Sequence, residues 1–230
     1  MTTAEALKAE FEKRGPWVTK FVIGGQAYGG QFDAMSDTRI MQFFQAFPNV
    51  QTILEMGSME GGHSFALAQP STITRVVAIE GRPANVERAK YVQSLFKAEK
   101  VEFVQANLET IDLTTLGRFD AVYCVGVLYH LPEPWKLVEQ IVRVTSSLFV
   151  WTHYVAQNKA DKVVNGLRGW IYQEHGLTDP LSGMSASSFW PTLDDLRQML
   201  TRAGFERIRI VEDNPMHPHG PCVALAASTQ

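Results

Sequence analysis

Short apolar runs alternate with helix-like segments through most of the chain. Predicted strands occupy residues 52–54, 75–79, 101–104, 119–125 and 147–151. Predicted helices lie between them, at residues 64–68, 86–96 and 135–144. Strands that alternate with helices form a parallel sheet with helices on both faces, and nearly continuous apolar strands fit a sheet buried on both sides. The pattern therefore predicts a doubly wound α/β fold.

The C-terminal region follows a different pattern. Thr192 is a predicted N-cap residue for a helix that Gly204 ends. Two apolar runs follow, at residues 208–211 and 222–226, and no helical pattern separates them. Strands joined only by a loop pair antiparallel, so we expect this last pair to do so.

We predict a single domain over the whole chain. At 230 residues with 45% apolar content, the chain is long enough for one continuous core. The region after the fifth strand is rich in glycine, serine and aromatic residues and predicts an insertion. The predicted parts are an N-terminal helical extension (1–48), a central core (49–152), the insertion (153–190) and a C-terminal helix with a strand pair (191–230).

Composition narrows the possible partners. The net charge of -3 and the lack of a long basic run make a nucleic acid an unfavoured partner and leave a small molecule as the expected one. The chain has neither a signal-peptide pattern nor an apolar run that could span a bilayer, so we expect a cytoplasmic protein without a membrane partner. Cys124, Cys222 and the His217 and His219 pair lack metal-site spacing, so no metal is predicted.

The loop after the first strand is the main candidate for a binding site. Gly57 and Gly61 have no Cβ, so a ligand can approach the backbone closely at the carboxyl end of the strand. Met59 occupies the place of the second glycine in the dinucleotide fingerprint. Glu55 and Glu60 would repel a pyrophosphate but would attract an ammonium and a sulfonium. The charge pattern therefore favours S-adenosylmethionine over a nicotinamide dinucleotide.

Polar side chains also follow the next two strands. Glu80 ends the second strand, where a carboxylate can accept hydrogen bonds from both hydroxyls of a ribose. Asn107 follows the third strand, where its amide and the backbone of Leu108 could contact the edge of an adenine. The alternatives are a solvated acid at Glu80 and a simple turn residue at Asn107.

Four segments in this order resemble those of the Rossmann-like (class I) S-adenosylmethionine-dependent methyltransferases. They are ILEMG (53–57), VAIE (77–80), NL (107–108) and FDAVYCVGVLYH (119–130). The resemblance covers about residues 50–152 and implies a seven-stranded, mostly parallel sheet whose last strand is antiparallel. The sequence departs from the family pattern at two positions, with Met59 in place of a glycine and Asn107 in place of an acid.

The resemblance also implies which residues hold the cofactor. S-adenosylmethionine would be the cofactor and S-adenosylhomocysteine the product. The methionine part of the cofactor would contact Glu55, Gly57 and Gly61, and its ribose would contact Glu80. The adenine would contact Gly81, Arg82, Asn107 and Leu108. The ammonium group would contact the backbone around Cys124, Val125 and Gly126.

Two groups of residues could act on a substrate. His130 and Tyr129 follow the fourth strand, where an imidazole can accept a proton near neutral pH and a tyrosine can orient a substrate. Aromatic rings could line a lid that excludes water, or they could simply pack the insertion. The substrate-binding candidates are Tyr28, His153, Tyr154, Trp170 and Trp190.

The sequence therefore predicts methyl transfer to an oxygen, nitrogen or carbon atom of a small molecule. Three alternatives stay open. They are a methyltransferase that modifies tRNA or another RNA, an NAD(P)-dependent oxidoreductase, and a non-catalytic protein that binds the ligand. The oligomeric state is not predicted.

Overall fold

The alternation of strands and helices predicted for the middle of the chain is present in the computed structural model, which describes residues 3–229. The helices are α1 (Ala4–Arg14), α2 (Thr38–Ala46), α3 (Gly62–Leu67), α4 (Pro83–Phe96), α5 (Pro134–Val144) and α6 (Leu193–Ala203). The strands are β1 (Lys20–Ile23), β2 (Gln26–Gly29), β3 (Thr52–Met56), β4 (Arg75–Glu80), β5 (Val101–Gln105), β6 (Ala121–Val125), β7 (Ser147–His153), β8 (Lys162–Val164), β9 (Leu167–Gln173), β10 (Ser187–Pro191), β11 (Arg207–Asn214) and β12 (Cys222–Ser228).

Seven strands form the central sheet, in the order β11-β12-β7-β6-β3-β4-β5. Strands β3 to β7 pair in parallel, whereas β12 is antiparallel to both β7 and β11. The order reverses at β3, where successive connections leave toward opposite ends of the sheet. The predicted doubly wound α/β sheet with an antiparallel last strand is confirmed.

Apolar clusters cover both faces of the sheet. Leu54 and Val122 face α5 and α6 on one side, whereas Ile53 and Tyr123 face α2 and α3 on the other. Both clusters contain side chains that are fully buried. This two-sided burial explains why the central strands are apolar along almost their whole length.

The predicted boundaries of the last helix are confirmed. The Thr192 hydroxyl accepts a hydrogen bond from the Asp195 backbone N–H at 3.2 Å, and Gly204 ends α6 in a left-handed conformation with φ 113°. These contacts satisfy backbone groups that a helix leaves unpaired at its ends.

The N-terminal extension and the insertion contain strands that the pattern did not predict. The extension holds two helices and also a hairpin, β1–β2, that turns through Gly24 and Gly25, both with positive φ. The insertion forms a three-stranded antiparallel sheet in the order β10-β9-β8. Among residues 3–229, no helix combines the length and apolar character needed to cross a membrane.

Candidate functional site

The carboxyl ends of β3, β4 and β6 meet at one edge of the sheet, where three loops follow them. Gly57 leaves β3 with φ 70°, and a Cβ there would lie 2.7 Å from the Val127 side chain. Glycine is therefore required both by the backbone conformation and by the close approach of the β6 loop. The predicted position of the site, at the point where the strand order reverses, agrees with this geometry.

Glu55 lies buried beneath this loop. Its side chain is 1% exposed and accepts a hydrogen bond from the Ser64 hydroxyl. Burial raises the pKa of Glu55 to about 8, with the nearby charge of Glu80 acting in the same direction and the bond from Ser64 opposing both. The carboxyl group is therefore mostly protonated at neutral pH. A cation bound beside it would favour its ionised form.

Glu80 ends β4 and supports the glycine loop. Its carboxylate accepts backbone N–H bonds from Met59 at 2.8 Å and from Arg82 at 2.7 Å. Burial raises the pKa of this group, and these two bonds oppose the rise. The Asn85 side-chain amide donates a third, longer bond of 3.4 Å. An ionised carboxylate has about four acceptor positions, so Glu80 keeps a free position for a ribose hydroxyl, and displacement of the long Asn85 bond would open a second.

Met59 adopts a conformation that favours glycine. Its φ is 50°, in the left-handed region, although the residue has a side chain. The loop thus keeps the backbone shape of a glycine at this position. The buried Ser58 hydroxyl next to it has no hydrogen-bond partner within residues 3–229, which is the expected state of a group that completes its bonds with a ligand.

Glu60 does not face this pocket, and the prediction that its charge attracts the ligand is wrong. Its carboxylate accepts backbone N–H bonds from Val18, at 3.0 and 3.1 Å, and from Thr19, at 2.6 Å. Arg88 lies 3.9 Å away. Glu60 therefore fastens the N-terminal segment to the core. Of the two acids that were predicted to attract the cofactor, only Glu55 lies beneath the loop.

We expect Glu60→Gln to destabilise the fold by about 1–3 kcal/mol, because an amide nitrogen would face backbone N–H groups. The measurement is the urea midpoint of unfolding. Glu87→Gln, on the exposed side of α4, is the matched control and should leave the midpoint unchanged. If the variant kept its stability but bound the cofactor more than tenfold more weakly, Glu60 would be a cofactor-binding residue after all.

Three further cofactor candidates are already in contact with protein groups. A Cβ at Gly61 would lie 2.7 Å from the Phe103 ring, and one at Gly81 would lie 2.3 Å from the Met184 sulfur. The Arg82 guanidinium donates hydrogen bonds of 2.8–3.1 Å to four backbone carbonyls in the segment 176–182. The backbone and the aliphatic stem of Arg82 are therefore the parts that could contact an adenine.

For the residues predicted to contact the adenine edge and the ammonium group, the backbone is the main part that could contact the cofactor. The Asn107 side chain accepts the Glu109 N–H at 2.9 Å, so Asn107 does form a turn, and Leu108 packs on the core. Cys124 is fully buried, and burial raises the pKa of its thiol to about 12. Gly126 follows Val125 with φ 77°, and its N–H bonds the Trp151 carbonyl at 3.0 Å.

His130 is held by a carboxylate that the sequence did not indicate. Its Nδ1 lies 3.1 Å from Oε1 of Glu174, a residue in the insertion. Within the described part of the chain, no hydrogen bond engages Nε2 of His130. The Tyr129 ring lies beside that of His130 at a tilt of 42°, with ring centres 4.1 Å apart, and burial raises the pKa of Tyr129 to about 12. Tyr129 is therefore a hydrogen-bond donor and His130 the group able to accept a proton.

A group of rings extends from Tyr129 along the ends of β7 and β10. His153 stacks on Trp190 with ring centres 5.1 Å apart, and Trp190 donates its indole N–H to the Tyr129 carbonyl at 2.8 Å. Trp170 contacts Trp190 from the insertion sheet and is 38% exposed. We call this group the aromatic cluster; it comprises Tyr129, Trp151, His153, Trp170, Tyr172, Trp190 and His217.

Two predicted substrate residues do not join the aromatic cluster. Tyr28 stacks on Phe11 of α1, with ring centres 5.2 Å apart. The Tyr154 hydroxyl donates to Asp213 at 2.9 Å, and burial raises the pKa of this tyrosine to about 12. Among residues 3–229, no group of three or more histidine, cysteine or acidic side chains could hold a metal ion.

A buried ionic group also borders the site. Asp37 caps α2 and binds both Arg39 and His63, the latter at 3.0 Å. The Arg39 guanidinium lies 4.6 Å from the centre of the Trp151 ring. Arg39 therefore lies beside the aromatic cluster, next to the helix that follows the glycine loop. Asp37 and Arg39 are close in sequence, whereas His63 and Trp151 reach them only through tertiary packing, which no local pattern indicates.

Comparisons with known proteins agree with this geometry. A family model described as a methyltransferase domain matches residues 54–147. The N-terminal domain of EvdMO1, crystallised in the presence of SAH and D-fucose, is 30% identical with a TM-score of 0.89, and the comparison covers 100% of this chain and 98% of that domain. Against the longer EvdMO1 chain, 98% of this chain matches 47% of that one, so the chain spans about half of that relative.

Two more distant relatives share parts of the chain. Magnesium protoporphyrin IX methyltransferase from Synechocystis PCC 6803, with bound SAM, has 15% identity and a TM-score of 0.57 over 85% of this chain and 78% of that one, which is a likeness in fold. The tRNA U34 carboxymethyltransferase of Alteromonas mediterranea is 29% identical over 120 residues, covering 51% of this chain and 32% of that protein.

The N-terminal domain of EvdMO1 has also been crystallised with SAH bound, and the residues present in this chain fit that group. The Glu80 carboxylate bonds the backbone of the glycine loop at Met59, and Glu55 bonds Ser64 of the helix that follows the loop. The unpartnered Ser58 hydroxyl lies within the loop. The family match also excludes the nicotinamide oxidoreductase alternative. The chain belongs to the Rossmann-like, class I S-adenosylmethionine-dependent methyltransferases, with S-adenosylmethionine as its cofactor and S-adenosylhomocysteine as its product.

Proposed function

We propose that the enzyme methylates a hydroxyl oxygen of a small polar molecule, with His130 as the general base. The observation that carries this proposal is the position of His130 beside the aromatic cluster at the ends of β6 and β7. A proton acceptor and a set of rings with polar edges there suit a small substrate that must lose a proton as it reacts.

The burial of the aromatic cluster supports a small substrate. His153 and Trp190 are 5% and 8% exposed, and Trp190 belongs to the insertion sheet, where it pairs with Trp170 and stacks on His153. A group that reaches these rings must be small or must extend from a larger molecule. Ring faces pack against the C–H groups of a polyhydroxylated ring, while the hydroxyls of such a ring bond to tyrosine and histidine. The presence of D-fucose with the similar EvdMO1 domain is consistent with a substrate of this kind.

Each residue of the site has a distinct task in this proposal. Glu55 and the glycine loop hold the methionine part of the cofactor, and Glu80 holds the ribose. The cofactor supplies an electrophilic methyl group: the new carbon–oxygen bond forms as the carbon–sulfur bond breaks, and its electron pair stays on sulfur. Nε2 of His130 accepts the hydroxyl proton, and the Tyr129 hydroxyl donates a hydrogen bond that orients the acceptor.

The ionisation of Glu55 makes cofactor binding depend on pH. Because the folded-state pKa is raised to about 8, the carboxyl is neutral at pH 6 and ionised at pH 9. S-adenosylmethionine is cationic and favours the ionised form, so its affinity should rise with pH up to about 8, by at most about tenfold per unit. Calorimetry in buffers of different ionisation enthalpy should show proton release at pH 7.

Glu55→Gln separates this effect from the titration of the cofactor itself. The variant keeps the shape of the side chain and its bond with Ser64 but cannot ionise. We expect its proton release to fall to the amount that the cofactor alone contributes. Equal proton release by the variant and the wild type would show that Glu55 does not ionise on binding.

The test of the proposed function is methylation of defined acceptors. The enzyme is incubated with methyl-labelled S-adenosylmethionine and a panel of monosaccharides, deoxysugars and small phenols, with matched amines as controls. We expect label on a hydroxyl oxygen, identified by mass spectrometry of the product. Label on the amines alone would contradict the proposal, and cofactor binding without any transfer would favour the non-catalytic alternative.

A second candidate function is the modification of RNA. It is favoured by the likeness to the tRNA U34 carboxymethyltransferase, which covers about half of this chain. The net charge of -3 opposes it, because RNA affinity depends on lysine and arginine contacts with phosphates. Transfer of label to total tRNA, with no transfer to the small acceptors, would support this alternative.

A further inference from the structure

The loop between β9 and β10, residues 174–186, begins with a buried carboxylate. The Glu174 side chain is 1% exposed. It accepts hydrogen bonds from the Ser182 hydroxyl at 2.6 Å, the Ser188 hydroxyl at 2.7 Å and the Gly183 N–H at 2.8 Å. Its remaining partner is Nδ1 of His130, at 3.1 Å from Oε1. The carboxylate thus joins its own loop to the residue that follows β6.

The chemistry of this contact determines which nitrogen of His130 carries hydrogen. Burial by itself would raise the pKa of Glu174, but the hydrogen bonds from His130, Ser182, Ser188 and Gly183 hold it at about 2. Glu174 is therefore ionised at neutral pH and can only accept hydrogen bonds. Nδ1 of His130 must then be the donor. In the neutral imidazole, the lone pair is left on Nε2.

The same loop reaches the cofactor side of the pocket. Arg82, next to the ribose-binding strand end, donates to the carbonyls of four loop residues, and the Met184 sulfur packs on Gly81. Ser185 donates to Glu109 at 2.8 Å, beyond β5. The position of Glu174 is therefore fixed from both ends of its loop. These contacts make the geometry at His130 dependent on the loop being in place.

We propose that Glu174 is the positioning residue for His130: it holds the imidazole in the Nδ1–H tautomer and presents Nε2 to the substrate hydroxyl. The role of Nε2 rests on the proposed function, whereas the tautomer does not. Glu174 has no contact with substrate in this account. It acts through orientation, as the buried acid of a catalytic triad does.

The first experiment observes the tautomer directly. Nitrogen-15 NMR of the 230-residue chain above pH 8 should show the Nδ1–H form of His130, assigned by its loss in His130→Asn. Glu174→Gln offers both a donor and an acceptor, so it should give a mixture of tautomers. An Nε2–H form in the wild type, or identical signals in the two proteins, would overturn the proposal. This result is independent of whether His130 is the base.

The second experiment is a double-mutant cycle on kcat. Glu174→Gln should lower kcat by about tenfold or more in the wild type, and by less than about twofold in His130→Asn. Glu87→Gln, at an exposed position of α4 outside the loop and the site, is the control and should leave kcat at the wild-type value. An equal loss in both backgrounds would show that Glu174 supports structure alone. If His130→Asn itself kept the full rate, the base assignment would fail, and the NMR result would still decide the role of Glu174.

Discussion

Replacing His130 by asparagine should lower kcat by about 10²- to 10⁴-fold, the usual contribution of a general base. The amide nitrogen of asparagine occupies a position similar to Nδ1 and can still donate to Glu174. The group lost is Nε2, which has no hydrogen-bond partner within residues 3–229. The measurement is single-turnover methyl transfer at saturating cofactor, which separates the chemical step from product release.

The affinity for S-adenosylhomocysteine is the control for this variant. It should stay within about twofold of the wild-type value, because the proposed role of His130 is in binding and deprotonating the substrate and not in binding the cofactor. A variant that transfers methyl groups at the wild-type rate would remove His130 from the chemistry. A variant that loses rate and cofactor affinity together would indicate that the site had collapsed.

Replacing Glu80 by alanine should weaken cofactor binding by about 1–3 kcal/mol, or roughly 5- to 150-fold in Kd. The carboxylate is 6% exposed and holds the backbone of Met59 and Arg82 in place. In the proposed assignment, its removal also takes away the acceptor for the ribose hydroxyls. Isothermal titration with S-adenosylhomocysteine measures the loss directly.

Two further variants separate ribose binding from loop support. Glu80→Gln keeps one carbonyl oxygen as an acceptor and should lose less affinity than Glu80→Ala. Glu102→Ala, at an exposed position of the neighbouring strand β5, is the matched control and should bind normally. An unchanged affinity in a folded Glu80→Ala protein would contradict the ribose assignment.

The central sheet was predictable because its signal is local. Each strand from β3 to β7 is a short apolar run, and each helix between them has its own apolar stripe. The last helix was predictable for the same reason, since Thr192 and Gly204 mark its ends chemically. Each of these patterns depends only on which residues of a single segment are buried, so it can be detected in the sequence of that segment alone.

The insertion sheet was not predictable because one of its buried positions is a glycine. Leu167 and Gly169 are both buried on β9, and Arg168 between them is exposed. A Cβ at Gly169 would lie 2.4 Å from the Trp190 carbonyl, so only glycine lets β9 pair this closely with β10. A buried glycine adds no apolar signal, and the alternation of the strand is lost from the sequence.

A residue of the site was predictable only where its position along the chain also fixes the direction in which its side chain points. Glu80 ends a strand, and its carboxylate lies where the strand end predicts. Glu60 sits at a turn, and the sequence could not show that its side chain points to Val18 and Thr19. Glu174 follows His130 by 44 residues. No spacing rule joins two residues that meet only when the insertion folds onto the sheet.

Labelling of a cell extract shows whether the enzyme methylates a small molecule and whether His130 takes part. A cell extract is supplied with the enzyme and methyl-labelled S-adenosylmethionine, then separated into small-molecule, RNA and protein fractions. We expect label in the small-molecule fraction, and a loss of most of it when His130→Asn replaces the wild type. Label in the RNA fraction, with none in the small-molecule fraction, would contradict a small-molecule substrate.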